Sequence, residues 1–173
     1  MEKNRQIRAM LEAYLDIETT GLSLTCNDIT VIGIYLTDGS YYRFVQLVGE
    51  EVTRDNLLKA LKGVHTIFTY NGSRFDLPFI HAYLGIDLEA KVCHHDLMYD
   101  CWRNNLYGGF KVVEQQLGIP RQLKGIGGLE AIMLWWRYQN DDDQNTLALL
   151  LQYNREDVVN LKALREKLFT EPI

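Results

Sequence analysis

The pattern of apolar and polar positions divides the chain in two. The first half is built of short β-rich runs broken by turns, and the second half is helical in period. Ala13 to Ile17 reads as a strand that leads into a turn at Thr19-Thr20-Gly21. Ile29 to Thr37, rich in Val, Ile and Tyr, reads as a second strand. Asp38-Gly39 is a strong hairpin signal, so Tyr41 to Val48 is expected to return antiparallel to it. Thr53 is a natural N-cap for a helix with Leu57, Leu58 and Leu61 on its apolar face and Gly63 at its end. His65 to Tyr70 is a fourth strand, Asn71-Gly72-Ser73 a loop, and Phe75 to Leu84 a helix stopped by Gly85. Lys91 to His94 reads as a short fifth strand, and Asp96 as the cap of a helix through Trp102. From Gly109 onward the spacing is helical. Phe110, Val113 and Leu117 make one face, closed by Gly118-Ile119-Pro120. Leu129 to Tyr138 is another helix, followed by a polar loop at Asn140 to Asp143. Leu147, Leu150, Leu151, Val158, Leu161, Leu164 and Leu168 then mark one long helix or two between Thr146 and Phe169. A hairpin unit, then βα units, then helices predicts an α/β fold of three layers around a mixed sheet.

Composition narrows this picture. A chain of 173 residues with 47% hydrophobic content fits one domain with a full core. Its prolines, Pro78, Pro120 and Pro172, form no linker, and no repeat or low-complexity tract is present. No apolar run approaches the roughly 18 residues of a membrane span. The polar start, Met1 to Gln6, lacks the apolar segment of a secretory signal. Cys26, Cys93 and Cys101 are widely spaced and form no CxxC pair. That argues against a disulfide framework or zinc module and suits a reducing cytoplasm, with a small packed hydrophobe the expected role of a cysteine and a reactive thiol the alternative for one of them. The net charge is −5 and the pI about 5.4, which gives no support for a grip on a long duplex. A site made of metal-ligand carboxylates carries negative charge that bound cations offset, and a grip on a few terminal nucleotides needs few basic residues.

The chemistry concentrates in two places. Asp16 and Glu18 are two apart on the first strand, so they point to one face. Tyr153 and Asp157 are four apart on the last helix and also share a face. Adjacent buried carboxylates repel, and one normally takes up a proton. A hard divalent cation removes that cost, and carboxylates plus substrate phosphate are its usual ligands. The pattern points to metal-dependent phosphoryl transfer.

Three segments, Asp16-Ile-Glu-Thr-Thr-Gly-Leu22, Asn71-Gly-Ser-Arg-Phe-Asp76 and Tyr153-Asn-Arg-Glu-Asp157, resemble in order and separation the three motifs of the DEDD 3′–5′ exonucleases. The Tyr-x-x-x-Asp form of the third resembles the tyrosine (DEDDy) branch. Asp96-Leu97 and Trp135 to Tyr138 resemble the small YprB-like exonuclease domains. The resemblance spans nearly the whole chain and implies a ribonuclease H-like fold with two Mg²⁺ or Mn²⁺ ions roughly 3.5–4 Å apart. It implies that Asp16 bridges both ions, Glu18 and Asp157 hold the one carrying the attacking water, and Asp76 serves the other. Tyr153 would orient the water, since a phenol with an ordinary pKa of about 10 is a poor base. The expected reaction is release of nucleoside 5′-monophosphates from the 3′ end of single-stranded DNA or RNA, with no membrane involved.

Other positions carry two readings each. The resemblance implies that Thr19 and Leu22 touch the terminal nucleotide; packing in the turn is the alternative for Leu22. Asn71 reads as a sugar–phosphate contact or the closure of an Asx-turn. Phe75 reads as a base-stacking ring or a core residue. Asp96 is expected to cap a helix rather than bind metal. Cys93-His94-His95-Asp96 alternates faces on a strand and cannot converge on one ion. Lys124 to Gly128 lacks the ending of a P-loop and is expected as a flexible turn on the substrate rim. Trp135 and Trp136 cannot both face the core, and Arg74, Lys111 and Arg155 are candidate phosphate contacts. Two rival functions remain at this point: an endonuclease of ribonuclease H type, and a nucleic-acid-binding module that recruits a helicase or polymerase.

Overall fold

The computed structural model describes residues 10–170, so the polar start and Pro172 lie outside the described residues. The strands are β1 (Leu11–Thr19), β2 (Ile29–Thr37), β3 (Tyr42–Val48), β4 (Val64–Thr69) and β5 (Cys93–Asp96). The helices are α1 (Arg54–Ala60), α2 (Asp76–Leu84), α3 (Leu97–Arg103), α4 (Phe110–Gln116), α5 (Gly128–Asp141) and α6 (Gln144–Thr170). The strands form one five-stranded sheet in the order β3-β2-β1-β4-β5. β1 is central, antiparallel to β2 and parallel to β4. This is the expected α/β architecture: a mixed sheet with an antiparallel hairpin unit and flanking helices.

Strand alternation sorts β1 between two layers. Ala13, Leu15 and Ile17 enter a core completed by Leu57 and Leu61 near α1 and by Phe79 and Ile80 of α2. Tyr14 enters the opposite core with Leu161 and Leu164 of α6. A third cluster joins Val31 of β2 to Ala131 and Trp135 of α5 and to Leu150 and Tyr153 of α6.

The hairpin turn follows from Gly39, whose φ of +89° suits glycine. Thr53 caps α1 by accepting from the Asn56 N–H, and Gly85 ends α2 in the left-handed region. Two expectations change, and the choice between one last helix and two is resolved. The fifth strand falls two residues later than read, because Cys93 to Asp96 are the residues that align with Thr66 to Thr69. The first half of the polar stretch at Asn140 to Asp143 is helix: α5 runs through Asp141, Asp142 turns the chain at φ +51°, and Asp143 accepts from the Asn145 and Thr146 N–H groups that open α6. The last segment is one helix of 27 residues, uninterrupted because it holds no Gly or Pro. Of the cysteines only Cys101 is a packed hydrophobe; Cys26 in the β1–β2 loop and Cys93 at the start of β5 are exposed. Among the described residues no helix is long and apolar enough to cross a membrane.

Candidate active site

The site forms where the solvent end of β1 meets the middle of α6. Asp16 and Glu18 lie on the β1 face that looks at α6, in line with Tyr14. Asp157 answers them from α6. One carboxylate oxygen from each of Asp16, Glu18 and Asp157 lies within 4.8 Å of the other two. Among the described residues no other set of three metal-ligating side chains comes this close. Asp76, at the first turn of α2, stands beside this trio and is buried. Its Oδ1 accepts from the Ile17 N–H at 3.1 Å, which ties it to β1 between the two motif acids.

A set of side chains on α6 and around α4 fixes these acids. Asn154 donates to the Asp16 carbonyl at 3.3 Å and to Asp16 Oδ2 at 3.2 Å. Gln46 donates to Asn154 Oδ1 at 3.0 Å and so sets the amide's orientation. This contact needs Gly33, the cross-strand partner of Asp16, because a Cβ there would lie 2.2 Å from Asn154 Oδ1. Arg121 donates to Asp157 Oδ1 and makes two bonds, of 2.8 and 2.7 Å, to the buried Glu114. Asn160 also donates to Glu114, at 2.7 Å. Lys111 donates to the Tyr153 hydroxyl at 2.6 Å and to the Ile126 carbonyl at 2.7 Å.

Burial and mutual repulsion set the electrostatics. Burial, then the charges of Asp157, Glu18 and Asp76, holds Asp16 well above the usual carboxylate range. Glu18 is raised by burial and by Asp157, against the pull of Lys111. Asp76 is pushed up to about 7, chiefly by burial. Asp157 is raised by burial and lowered in part by Arg121. Burial and the same carboxylates raise the Tyr153 phenol, and burial lowers the Lys111 ammonium.

The donor set suits a hard divalent cation: three carboxylates, all oxygen, held close together. Glu18 Oε1 is buried and has no hydrogen-bond partner among the described residues. An orphaned buried anion is costly, and a cation between the three acids would satisfy it.

A groove of about 390 Å³ opens onto the trio, with Thr19, Leu22, Phe75 and Tyr153 in its walls. Thr19 is buried, and its hydroxyl donates to the Gly21 carbonyl at 2.7 Å. Leu22 is 79% exposed, which rules out packing in the turn and leaves its side chain at the groove. Phe75 packs on the core beside Phe79, as one of its two readings has it, and it also lines the groove. Asn71 lies outside the groove lining. It takes φ +62°, donates its N–H to Asp96 and accepts from Arg74 and Phe75, so it is a turn-former. Asp96 caps α3 through the Met98 N–H and also gathers the Asn71 and Ser73 N–H groups, which sets the loop leading to Asp76.

Of the candidate phosphate contacts only Lys111 reaches the site. Arg74 lies over Trp102 and Arg155 over Phe44. His94 bonds to Thr69 and His95 to Asp100, so the Cys93 to Asp96 run does not converge on one ion. Sequence reasoning missed Arg121, Glu114, Asn154 and Asn160. Arg121 follows a Gly-Ile-Pro helix stop, which gives no hint of its target 36 residues on. Gly33 was a usable signal, since a lone glycine inside a β-rich run marks close approach of another group.

Comparison with known proteins places the architecture. The model of a family described as the RNase_H superfamily matches residues 13–169. No curated protein matches the sequence. Among solved structures, the family B DNA polymerase from the hyperthermophilic archaeon Pyrobaculum calidifontis is similar, with a TM-score of 0.70 at 16% identity over 92% of this chain. This chain spans only 24% of that polymerase. Brucella melitensis NrnC bound to pGG is similar with a TM-score of 0.63 at 20% identity, covering 97% of this chain and 74% of that one. Brucella melitensis NrnC with bound Mg²⁺ gives 0.59 at 19% identity, covering 97% and 75%. At these identities the likeness is one of fold.

Proposed function

The chain belongs to the RNase_H superfamily, and from that premise we propose that it is a metal-dependent 3′–5′ exonuclease of the DEDDy type. Its substrate is the 3′ end of single-stranded DNA or RNA, and its product a nucleoside 5′-monophosphate. The observation that carries this reading is the trio Asp16, Glu18 and Asp157, with ligand oxygens within 4.8 Å of one another and Glu18 Oε1 buried without a partner among the described residues. The NrnC structures of similar fold, one with bound Mg²⁺ and one bound to pGG, support the same class of ligand here.

In this reading Asp16, Glu18 and Asp157 would hold one divalent ion, Mg²⁺ or Mn²⁺, and Asp76 with Asp16 would hold a second. When bound, such ions supply the charge that activates a water and stabilises the departing 3′ oxygen. The chain's own side chains do the rest. Tyr153, its hydroxyl held by Lys111, orients the attacking water. Arg121 keeps Asp157 fixed and offsets part of the cost of its charge. Leu22 and Phe75 grip the terminal nucleoside, and Thr19 shapes the turn behind it.

The test uses 5′-labelled single-stranded DNA and RNA with Mn²⁺ or Mg²⁺, with EDTA and Asp16→Ala as controls. The expected result is a metal-dependent ladder that shortens from the 3′ end and is absent in both controls. A circular substrate should stay intact. Cutting of the circle would instead identify an endonuclease, and binding without cleavage of any substrate would identify a recruiting module.

A further inference from the structure

α5 carries more apolar surface than its packing uses. Ala131 and Trp135 are buried against Val31 and Leu150. On the other side Leu129, Met133 and Trp136 are 74%, 69% and 47% exposed. Positions i, i+4 and i+7 fall on one stripe of a helix, and at 1.5 Å per residue this one runs about 10 Å. Leu129 lines the carboxylate groove, and Trp136 lines a second groove of about 610 Å³. The β1–β2 loop parts the two: Leu22 lines the first, and Thr20 and Asp28 line the second.

The second groove has a distinct chemistry. Trp136 and Tyr83, 47% and 41% exposed, offer flat rings in its wall. Thr30 also lines it, is 1% exposed, and its hydroxyl finds no partner among the described residues. Buried polar groups are almost always paired, so an orphan hydroxyl just behind a cavity wall points to a ligand atom that completes it once the side chain turns toward the groove. Gln139 adds an amide. Asp28 and Glu50 stand in the lining, which among the described residues includes no Lys or Arg. Such a groove repels a phosphate and accepts an uncharged aromatic ring with polar edges.

We propose that this second groove is a nucleobase subsite, which stacks on Trp136 one unstacked base of the substrate strand lying 5′ of the nucleotide being removed. The assignment rests on the exonuclease reading, which places the 3′ end in the carboxylate groove. Leu129 and Met133 form the apolar rail between the two grooves, and the phosphates run on the solvent side. Thr30 and Gln139 meet the polar edge of the base.

The test is an abasic scan. Single-stranded oligonucleotides, each lacking one base near the 3′ end, are bound in EDTA and followed by fluorescence anisotropy, so that affinity is read without cleavage. One interior position is expected to weaken binding by about 5- to 150-fold, the range for one base stacked on an aromatic ring. In Trp136→Ala the same abasic site should cause no further loss. Thr30→Val, which keeps the shape and removes the orphan hydroxyl, should weaken the intact strand by about 2- to 10-fold and leave the abasic strand unaffected; it serves as the second probe should Trp136→Ala fail to fold. A uniform scan, or an abasic penalty that persists in full in both variants, overturns the subsite. So does conversion of a dimer to a monomer by Trp136→Ala, which would make the stripe a contact between copies. Adding Mn²⁺ separates the two readings: cleavage with a flat scan removes the subsite alone, and a position-specific scan without cleavage removes the exonuclease alone.

Discussion

The side of the sheet against α1 and α2 and the side against α6 are built from the same strands, yet one is almost purely apolar and the other is full of buried charge. On the first, Leu15, Ile32, Leu57, Phe79 and Ile80 pack with none of their surface exposed. Asp76 enters only at its end, tied to the Ile17 N–H. On the second, Glu18, Asp157, Glu114, Asn154 and Asn160 are all buried; Arg121 holds Asp157 and Glu114, and Asn160 holds Glu114 as well. Burial of apolar surface stabilises at about 25 cal/mol per Å², whereas carboxylates buried side by side destabilise a metal-free fold. The difference assigns the labour: the α1/α2 face holds β1 rigid, and the α6 face spends part of that stability on a preorganised anionic site. β1 takes part in both because its residues alternate between the two.

The largest expected effect breaks the charged face alone. Asp16→Ala should lower cleavage by roughly 10³-fold or more, at or beyond the loss typical of one preorganised electrostatic group. Its melting temperature in EDTA should not fall, because one of the repelling carboxylates is gone. A melting temperature well below wild type would mean that Asp16 is structural. The converse change is Leu57→Ala on the apolar face. It should cost about 2–5 kcal/mol in urea unfolding, as a fully buried Leu does, while the folded fraction keeps its specific activity. A matching loss of turnover at full folding would show that the two faces are not separable.

The apolar face was legible in the sequence and the charged face only in part. Leu57 and Leu61 announce themselves by helical spacing, and β2 is bounded as its β-rich run suggests. Asp16, Glu18, Asp76, Tyr153 and Asp157 stand out as motif residues. Their supports do not, because nothing local marks them. Arg121 sits in a loop 36 residues from Asp157, and Asn154 reads as one more polar helix position until Gly33 is seen beneath it. Side chains that act across the fold have no period, so pattern reading finds the ligands and misses what positions them. The same holds for Thr30, whose hydroxyl, unpaired among the described residues, is visible only once the groove around it is formed.

A smaller effect tests where the two faces meet. Asp76 ionises at about 7 in the fold against an ordinary value near 3.9 unfolded. A carboxyl with a raised folded pKa binds its proton more tightly when folded. Metal-free protein is therefore expected to lose stability as pH rises from about 4 to about 7, and to carry the full deficit above that. Asp76→Asn keeps an oxygen for the Ile17 N–H and removes the titration. In EDTA it should raise the urea midpoint at pH 8 and leave it nearly unchanged at pH 4, with a difference on the order of a few kcal/mol at most. The other acids of the site keep some slope in the variant. An unchanged midpoint at pH 8 would show that Asp76 is not a source of the strain.

The smallest expected effect concerns Tyr153. Burial, with Asp157 and the two β1 acids around it, raises its phenol above the ordinary value, so the hydroxyl keeps its proton across the working range. Lys111 donates to that oxygen at 2.6 Å, which leaves the hydroxyl hydrogen free to point at a water. A group placed this way orients and does not titrate. Removing one neutral hydrogen bond costs about 0.5–1.5 kcal/mol, so Tyr153→Phe should lower kcat by up to about tenfold, far less than Asp16→Ala. Its pH–rate profile should keep the wild-type shape, because the ring stays and no titrating group has been removed. An alkaline limb that moves or disappears in Tyr153→Phe would make the phenol a proton-transfer group. The division on the α6 face, with carboxylates for the metal and the tyrosine for geometry, would then have to be redrawn.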